Sequence, residues 1–472
     1  MSIHRAVFWS CAFFLVGIGC ASSVQLVWLV AVPAVLIPLI LKLRSKNALA
    51  LCACGVAVGA LYFFVWDWTL QNAALMPHGS EGFSGDVVSV HKSHAGQSAV
   101  LALEAPYHGN VQLALQRYPE LAYGDRVEVR GTAEILEGRA ASIARKNSVM
   151  GIVRFPRISM LEHNKGSSII AFLFNAKDRA TMIFRKLLPS DHASLVAGIT
   201  LGNREYFDSA LEEAMRRSGT THLVALSGYN IMVVSWVVNA LFERLIARRM
   251  AFWASTAAII LFVVMTGGQA SVVRAALMGI VALLASHVER LYSFRNAAAI
   301  AAAGMVAANP YILVFDVGFQ LSFAALLGIV YVAPAIKKLL NIQDGGVFNW
   351  KENLVLTCGA QVAALPLLLF YFGQFSFTSV AANILITLAV PWTMGLGFIA
   401  ISVGFVSMFV ATIIAFPLYM LLSYELLLIR FFSAVAAPLH ITSFGVTAVC
   451  VSYGVLIGGL AYMYGKYKDF RK

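Results

Sequence analysis

The residues best equipped for chemistry stand close together. The stretch 219–234 reads GTTHLVALSGYNIMVV, and within an apolar run it carries Thr220, Thr221, His222, Ser227, Gly228, Tyr229 and Asn230. Hydroxyl, amide and imidazole groups are expensive in hydrocarbon, so such side chains face a bundle interior or a wet cavity. On a continuous helix Thr220, Ser227 and Asn230 share one face, because offsets of seven and three fall near whole turns. His222 points elsewhere unless Ser227-Gly228 breaks the helix. Two uses fit these residue types: a polar lining beside a pathway, or interhelical hydrogen bonding with Gly228 admitting a close neighbour. An intramembrane serine hydrolase would need His222 beside Ser227, and on one helix the two stand about 140° apart.

Further polar residues recur at helical spacing. Gly267, Ser271, Arg274 and Met278 share a face. An arginine within a span costs on the order of 3 kcal/mol, so Arg274 must face a carboxylate, a phosphate or water. Glu425 is the acid deepest in an apolar run; an Arg274–Glu425 pair and a phosphate-handling Arg274 both stay open. Gln320 follows Asp316 by four residues, Gln361 follows Thr357 by four, and Ser379, Asn383 and Thr387 form a ladder. Helix–helix hydrogen bonding accounts for each alone; meeting in one bundle, they would line a cavity. The chain has no G-x-x-x-x-G-K-[ST] and no H-E-x-x-H, and its histidines never cluster as H-x-H. No cofactor, catalytic residue or metal site is therefore expected.

The elements that must position these residues are membrane spans. Hydrophobic residues make up 60% of the chain and charged residues 12%, against about 45–50% and about 25% in soluble domains. Runs of about 20 apolar residues, enough to cross a bilayer, recur throughout. The formal charge of +12 reads first as orientation signal, since cytoplasmic loops collect Lys and Arg. All six cysteines lie in apolar runs, so the polar segment holds together without disulfides.

Residues 6–20, 24–41 and 48–66 are the first expected spans. The first has the length of a signal peptide, but two more follow at once, so it is read as retained. Lys42, Arg44 and Lys46 place the loop between the second and third spans in the cytoplasm. The N-terminus is then inside, Trp66 and Trp68 sit in the outer aromatic belt, and residues 78–165 lie outside. That segment alternates like short strands at 86–90, 99–103, 111–115, 126–130 and 151–155, with Gly, Pro and Asn between them. About five strands in so short a segment suggest a small barrel such as an OB-fold. OB-folds bind single strands through a basic groove with aromatic platforms, but this segment is nearly charge-balanced and offers only Tyr107, Tyr118 and Tyr123. A spacer or docking module fits it equally.

Residues 168–188 resemble an interfacial helix, and Asp208 N-caps a helix closed by Ser218-Gly219. The remaining block offers spans at 221–241, 251–266, 270–287, 297–308, 317–335, 354–372, 377–390, 392–411, 413–432 and 444–464. Alternation puts the Lys/Arg-bearing loops 243–249, 288–295 and 337–351 inside. It also puts the basic tail, Lys466, Lys468, Arg471 and Lys472, outside, against the charge rule. A re-entrant or broken segment between Phe377 and Pro438, helped by Pro391, Pro417 and Pro438, would repair the count. The expected fold is a polytopic α-helical membrane protein with an inserted small all-β (OB-like) extracytoplasmic domain. Its parts are N-terminal spans (1–70), the OB-like domain (78–165), connecting helices (168–220) and a multi-span domain (221–472).

The stretch THLVALSGYNI resembles the signature of the ComEC-type competence proteins. LVAGITLGNR precedes it; ASVVRAALMG, DVGFQLSFAALLGI and LPLLLFYFGQFSFTSVAANIL follow in the family's order. The resemblance implies passage of one DNA strand across the bacterial cytoplasmic membrane during natural transformation, without enzymatic activity. Single-stranded DNA and membrane lipid are the implied partners, with an external DNA receptor, a separate nuclease and a cytoplasmic motor on other polypeptides. The DNA path would use Thr220, His222, Ser227, Gly228, Asn230, Ser271, Arg274, Gln320, Gln361 and Asn383. Two departures stand out. Many members read SGLH where this chain reads SGYN, with Asn230 in place of the histidine. Many also end in a metallo-β-lactamase-like domain, which is not expected here because the sequence stops at Lys472. A secondary transporter with Arg274 as counter-ion is the alternative reading, and a Ser227 hydrolase a more distant one.

Overall fold

The structure is a computed structural model. It describes residues 3–22, 46–73, 82–93, 96–136, 138–163, 165–203, 205–224, 228–288, 293–341, 350–375, 378–436, 439–440 and 444–466. The expected span 24–41, Ser227, Pro438 and the tail residues Lys468, Arg471 and Lys472 lie outside the described residues.

Two apolar helices come first, α1 (Ile3–Ser22) and α2 (Lys46–Ala73). They approach closely because Gly17 and Gly59 leave room: a Cβ on either would strike the carbonyl oxygen of Val56 or Phe14. Small residues at the crossing are how helices pack where lipid removes the hydrophobic drive.

A seven-stranded sheet follows, in the order β5-β6-β3-β2-β1-β4-β7. The strands are β1 (Gly82–Ser93), β2 (Gly96–Leu103), β3 (Asn110–Leu115), β4 (Arg126–Arg130), β5 (Ala133–Ile135), β6 (Val149–Arg154) and β7 (Arg157–Glu162). Only Gly131 and Thr132 separate β4 from β5. Laid flat, the strands between them would hold the two about 24 Å apart, whereas so short a link reaches about 11 Å. The sheet is therefore rolled, around Phe83, Leu101, Val111, Leu113, Val127 and Val153. It departs from the expected five strands in two ways: β5 and β7 are additional, and a helix, α3 (Gly138–Arg145), enters between β5 and β6. β3 and β6 pair in parallel. β7 is an edge strand with no fully buried residue, only Ile158 and Met160 packing against the core.

Fifteen-residue or longer apolar helices dominate the rest. α4 (Ser168–Leu187), α5 (Ser190–Leu201), α6 (Ser209–Ser218), α7 (Thr221–Val224) and α8 (Gly228–Leu245) lead into the bundle. Then come α9 (Arg248–Met265), α10 (Ala270–His287), α11 (Phe294–Ala308), α12 (Ile312–Phe315) and α13 (Val317–Leu339). α14 (Trp350–Phe372), α15 (Thr378–Gly404), α16 (Met408–Val435) and α17 (Val446–Lys466) complete it. Seven helices among the described residues are long and apolar enough to cross a membrane: part of α2, then α10, α13, part of α14, α15, α16 and α17. The chain is a multi-pass membrane protein, mostly helical, with one small mixed-sheet domain near its N-terminus.

Three expected spans between 377 and 432 are two helices. α15 runs unbroken through Pro391 and α16 through Pro417. Each proline removes a backbone hydrogen bond, but the helix continues because hydrocarbon offers the freed group no better alternative. The chain turns instead at Phe405–Ser407. This corrects the expectation of a re-entrant or broken segment and removes one crossing. α4 is also more than an interfacial helix: Ile169 and Phe172 are exposed, while Ala180, Ile183 and Phe184 are buried. α13 contains a π-helical turn, Gly328–Val332, where Gly328 lies against the Gly359 carbonyl of α14.

Two seams tie the sheet to the helices. Along the first, Arg145 Nη1 lies 3.1 Å from Asp67 Oδ1 of α2, and the Tyr311 hydroxyl bonds the same carboxylate. Lys146 Nζ lies 3.1 Å from Asp316 Oδ2, and Asn309 Nδ2 donates to the Lys146 carbonyl at 2.7 Å. Along the second, Tyr123 packs edge-on against Phe174 at 5.5 Å. Burial there pushes the Asp178 and Glu205 carboxyls up from their ordinary range, with Lys92 drawing both back down.

Gly219 closes α6 in the left-handed conformation, φ 72°, and a Cβ there would collide with the Ser379 side chain. Backbone strain of this kind costs of order 1–3 kcal/mol before the clash is counted. Gly219→Ala is expected to lower the thermal midpoint of the purified chain by several degrees; an unchanged midpoint would contradict this packing.

Candidate functional site

The signature residues sit where α5, α6, α8 and α15 meet. Thr220 is fully buried and its Oγ1 lies 2.8 Å from Ser218 Oγ. Asn230, in the first turn of α8, is 2% exposed and donates from Nδ2 to the Ile199 carbonyl at 3.1 Å. Ile199 lies in the last turn of α5, where helix carbonyls have no partner of their own. Gly202 N–H takes the Gly198 carbonyl, and Asn230 takes the next one. Asn230 thus works from a neighbouring helix as a cap for α5, a task for an amide donor that needs no ionisable group.

α15 supplies the facing side of this group. Ser379 and Asn383 are both 4% exposed, and Gln361 of α14 donates to Ser379 Oγ at 3.3 Å. Asn383 Oδ1 is buried without a partner among the described residues. α7 ends at Val224 and α8 begins at Gly228, so the described signature is two helical pieces. His222 is exposed, whereas Thr220 and Asn230 are buried.

A second polar group lies between α10, α13 and α14. Half-buried Arg274 donates from Nη1 to the Ser322 carbonyl, and its guanidinium lies 5.8 Å from the Phe323 ring centre. Its Nε is buried without a partner. Ser271 lies one turn earlier on the same helix. Gln320 spans the break between α12 and α13: its Nε2 donates to Leu313 O at 3.1 Å and Val314 O at 2.8 Å, and its Oε1 accepts from Tyr371 at 2.7 Å. Asp316 caps α13 by accepting from Phe319 N–H at 2.8 Å.

The expected Arg274–Glu425 pair is not formed. Glu425 Oε1 lies 2.6 Å from Thr393 Oγ1, on helices that bury it away from α10. The sequence placed both ionisable residues in spans but held no register between α10 and α16. The candidates therefore divide: Thr220, Asn230, Gln361 and Asn383 in one group, Ser271, Arg274 and Gln320 in the other. Sequence reasoning missed Tyr371 and Thr393, single hydroxyls whose partners come from other helices, and the bond of Ser218 to Thr220 two residues on. Among the described residues, no three His, Cys, Asp or Glu side chains are placed to hold a metal.

The sequence model of the competence protein family matches residues 199–466, from the carbonyl that Asn230 caps to the end of α17. The chain belongs to the competence protein family. It is similar to ComE operon protein 3 of Bacillus subtilis (strain 168), with 33% identity over 202 residues. That stretch is 42% of this chain and 25% of the relative, so the chain spans about a quarter of the relative it matches. No solved structure matches. The family match holds both polar groups and leaves the sheet outside it.

Gln320→Leu removes the donor to two half-buried carbonyls and an acceptor of the Tyr371 hydroxyl. An unsatisfied buried group costs about 1–3 kcal/mol, so the variant is expected to lose at least that much stability in thermal unfolding. Gln320→Glu, which keeps the acceptor for Tyr371 but not the donors, should fall no better than halfway between.

Proposed function

We propose that this protein carries DNA, as a single strand, across the cytoplasmic membrane during uptake, and does so as a conduit without chemistry of its own. The observation that carries the reading is the family match over residues 199–466, which takes in every helix bearing the buried polar side chains described above. A conduit must bind its cargo weakly enough to release it. Neutral amides and hydroxyls with one arginine answer that need better than a stripe of lysines. Arg274 supports a phosphate contact, because it is held by one backbone carbonyl and keeps a buried Nε unpaired. Among the described residues no carboxylate neutralises it. That same feature is what the alternative reading uses, a secondary transporter with Arg274 as counter-ion to a small anion.

In this reading the sheet faces outward. With α15 and α16 as two crossings, alternation from α8 to α17 returns Lys466 to the side of the Lys/Arg-bearing loops 243–249, 288–295 and 337–351. All the basic connections then lie in the cytoplasm, in keeping with the charge rule. The rolled sheet supports an OB-like assignment: β1, β2 and β3 form a meander, β3 pairs in parallel with β6, and the β4–β5 segment bridges β1 and β6. An external DNA receptor, a separate nuclease and a cytoplasmic motor complete the proposed pathway.

Deleting the gene and scoring transformation with added DNA tests the reading. Loss of transformants with normal growth is expected; undiminished transformation would refute it. Arg274→Lys is expected to reach the membrane in normal amount yet to lower uptake about tenfold or more, because a planar fork of donors becomes a point charge. Full uptake by a well-expressed Arg274→Lys would remove Arg274 from the path.

A further inference from the structure

Glu425 lies mid-way along α16 and is completely buried, among Leu418, Leu422, Leu426 and Ile429. Oε1 meets Thr393 Oγ1 at 2.6 Å, and Oε2 is buried without a partner among the described residues. An ionised carboxylate so placed would carry an uncompensated charge in an apolar core, the costliest arrangement a side chain can adopt.

Among the described residues no neighbouring charge relieves it. α4, α5, α6 and α15 pack against α16. α4 carries Lys177, Asp178, Arg179, Arg185 and Lys186; α5 carries Asp191 and His192; α6 carries Glu212, Glu213, Arg216 and Arg217; α15 carries none. On α16 itself stand Tyr419, Tyr424 and Arg430. Arg430 is taken by Asp191 at 2.5 Å, Arg216 by Glu213 at 2.9 Å, and His192 by Ser423 at 3.0 Å. Among the described residues, Thr393 is the one side chain that acts on the Glu425 carboxyl.

The hydrogen count at Thr393 points the same way. Its Oγ1 lies 3.3 Å from the Ala389 carbonyl as well as 2.6 Å from Glu425, and it has one hydrogen. A helical threonine commonly gives that hydrogen to the carbonyl four residues back. The short approach of Glu425 is then an acid O–H donating to Thr393.

We propose that Glu425 is a proton-binding site inside the membrane domain, occupied while α15 and α16 are packed. The carboxylate takes a proton from water to form its O–H bond, and the neutral acid is what the seam can bury. Release of that proton restores a carboxylate that requires water, so emptying the site goes with hydration of the α15–α16 seam. The proposal does not rest on the DNA reading.

Glu425→Gln in the full chain tests it, because glutamine copies the size of the neutral acid and cannot ionise. In the unfolded chain the carboxyl ionises above about pH 4.3. Unfolding then releases a proton that the folded chain holds, so the wild type loses stability as pH rises. Thermal midpoints are measured in an ester-free detergent from about pH 5 to about pH 8, across which the carboxyl's unfolded form stays ionised. The midpoint of Glu425→Gln should gain steadily on that of the wild type across this range. A constant gap, or a variant that falls further behind as pH rises, would overturn the proposal. Should the variant not fold, infrared spectra of the wild type at about pH 7, where exposed carboxyls are ionised, serve instead. A neutral carboxylic acid band displaced in Thr393→Val is expected; no band, or a band that Thr393→Val leaves in place, overturns the assignment.

Discussion

Hydrocarbon supplies no hydrogen bonds, so each place where a membrane helix starts, stops or breaks leaves backbone groups that the protein itself must satisfy. This bundle meets the demand with single polar side chains from the next element. Asn230 takes the carbonyl left over at the end of α5. Asp316 takes an amide at the start of α13, and Gln320 takes the two carbonyls just before it. Most of the side chains that look equipped for chemistry are first of all the reason the helices can end where they do. Arg274 exceeds that need, since one carbonyl does not use the capacity of a guanidinium.

The same economy joins the sheet to the bundle. Asp316 caps α13 with Oδ1 and pairs with Lys146 through Oδ2. Asp67 at the end of α2 gathers Arg145 and Tyr311. The loop after α3 thus rests on the very residue that begins α13, and four residues later Gln320 links that helix to α14 through Tyr371. The sheet and the second polar group share one run of contacts, through side chains that a lone sheet would expose to water.

Much of this was legible in the sequence, because it follows from local rules. Apolar run lengths gave the membrane class, alternation gave β1, β2, β3, β4 and β6, and Ser218-Gly219 marked the end of α6. What stayed hidden depends on distant partners. β7 turns only Ile158 and Met160 toward the core, too short an alternation to stand out. Pro391 and Pro417 read as breaks, because a proline's effect depends on what surrounds the freed carbonyl, and sequence does not show the neighbour. For the site, Asn230, Gln361 and Asn383 stood out by residue type on three separate expected helices, and their partners were not foreseeable. Glu425 was paired with the wrong residue for the same reason: charge alone suggests Arg274, and only the register of α15 against α16 gives Thr393.

The wide turn at Gly328–Val332 has a geometric meaning of its own. A π turn accommodates one residue more than an α turn, and each residue of an α-helix advances the side chains by about 100°. The segment from Ala333 to Leu339 is therefore rotated by about that angle from the face it would show on an uninterrupted helix. Ala333 is brought against Gly359 by that rotation, and the two halves of α13 share α14 but differ in their other neighbour: the first half also meets the Arg274 helix, the second α17. The extra residue is a phase shifter, letting one rod mesh with two sets of teeth.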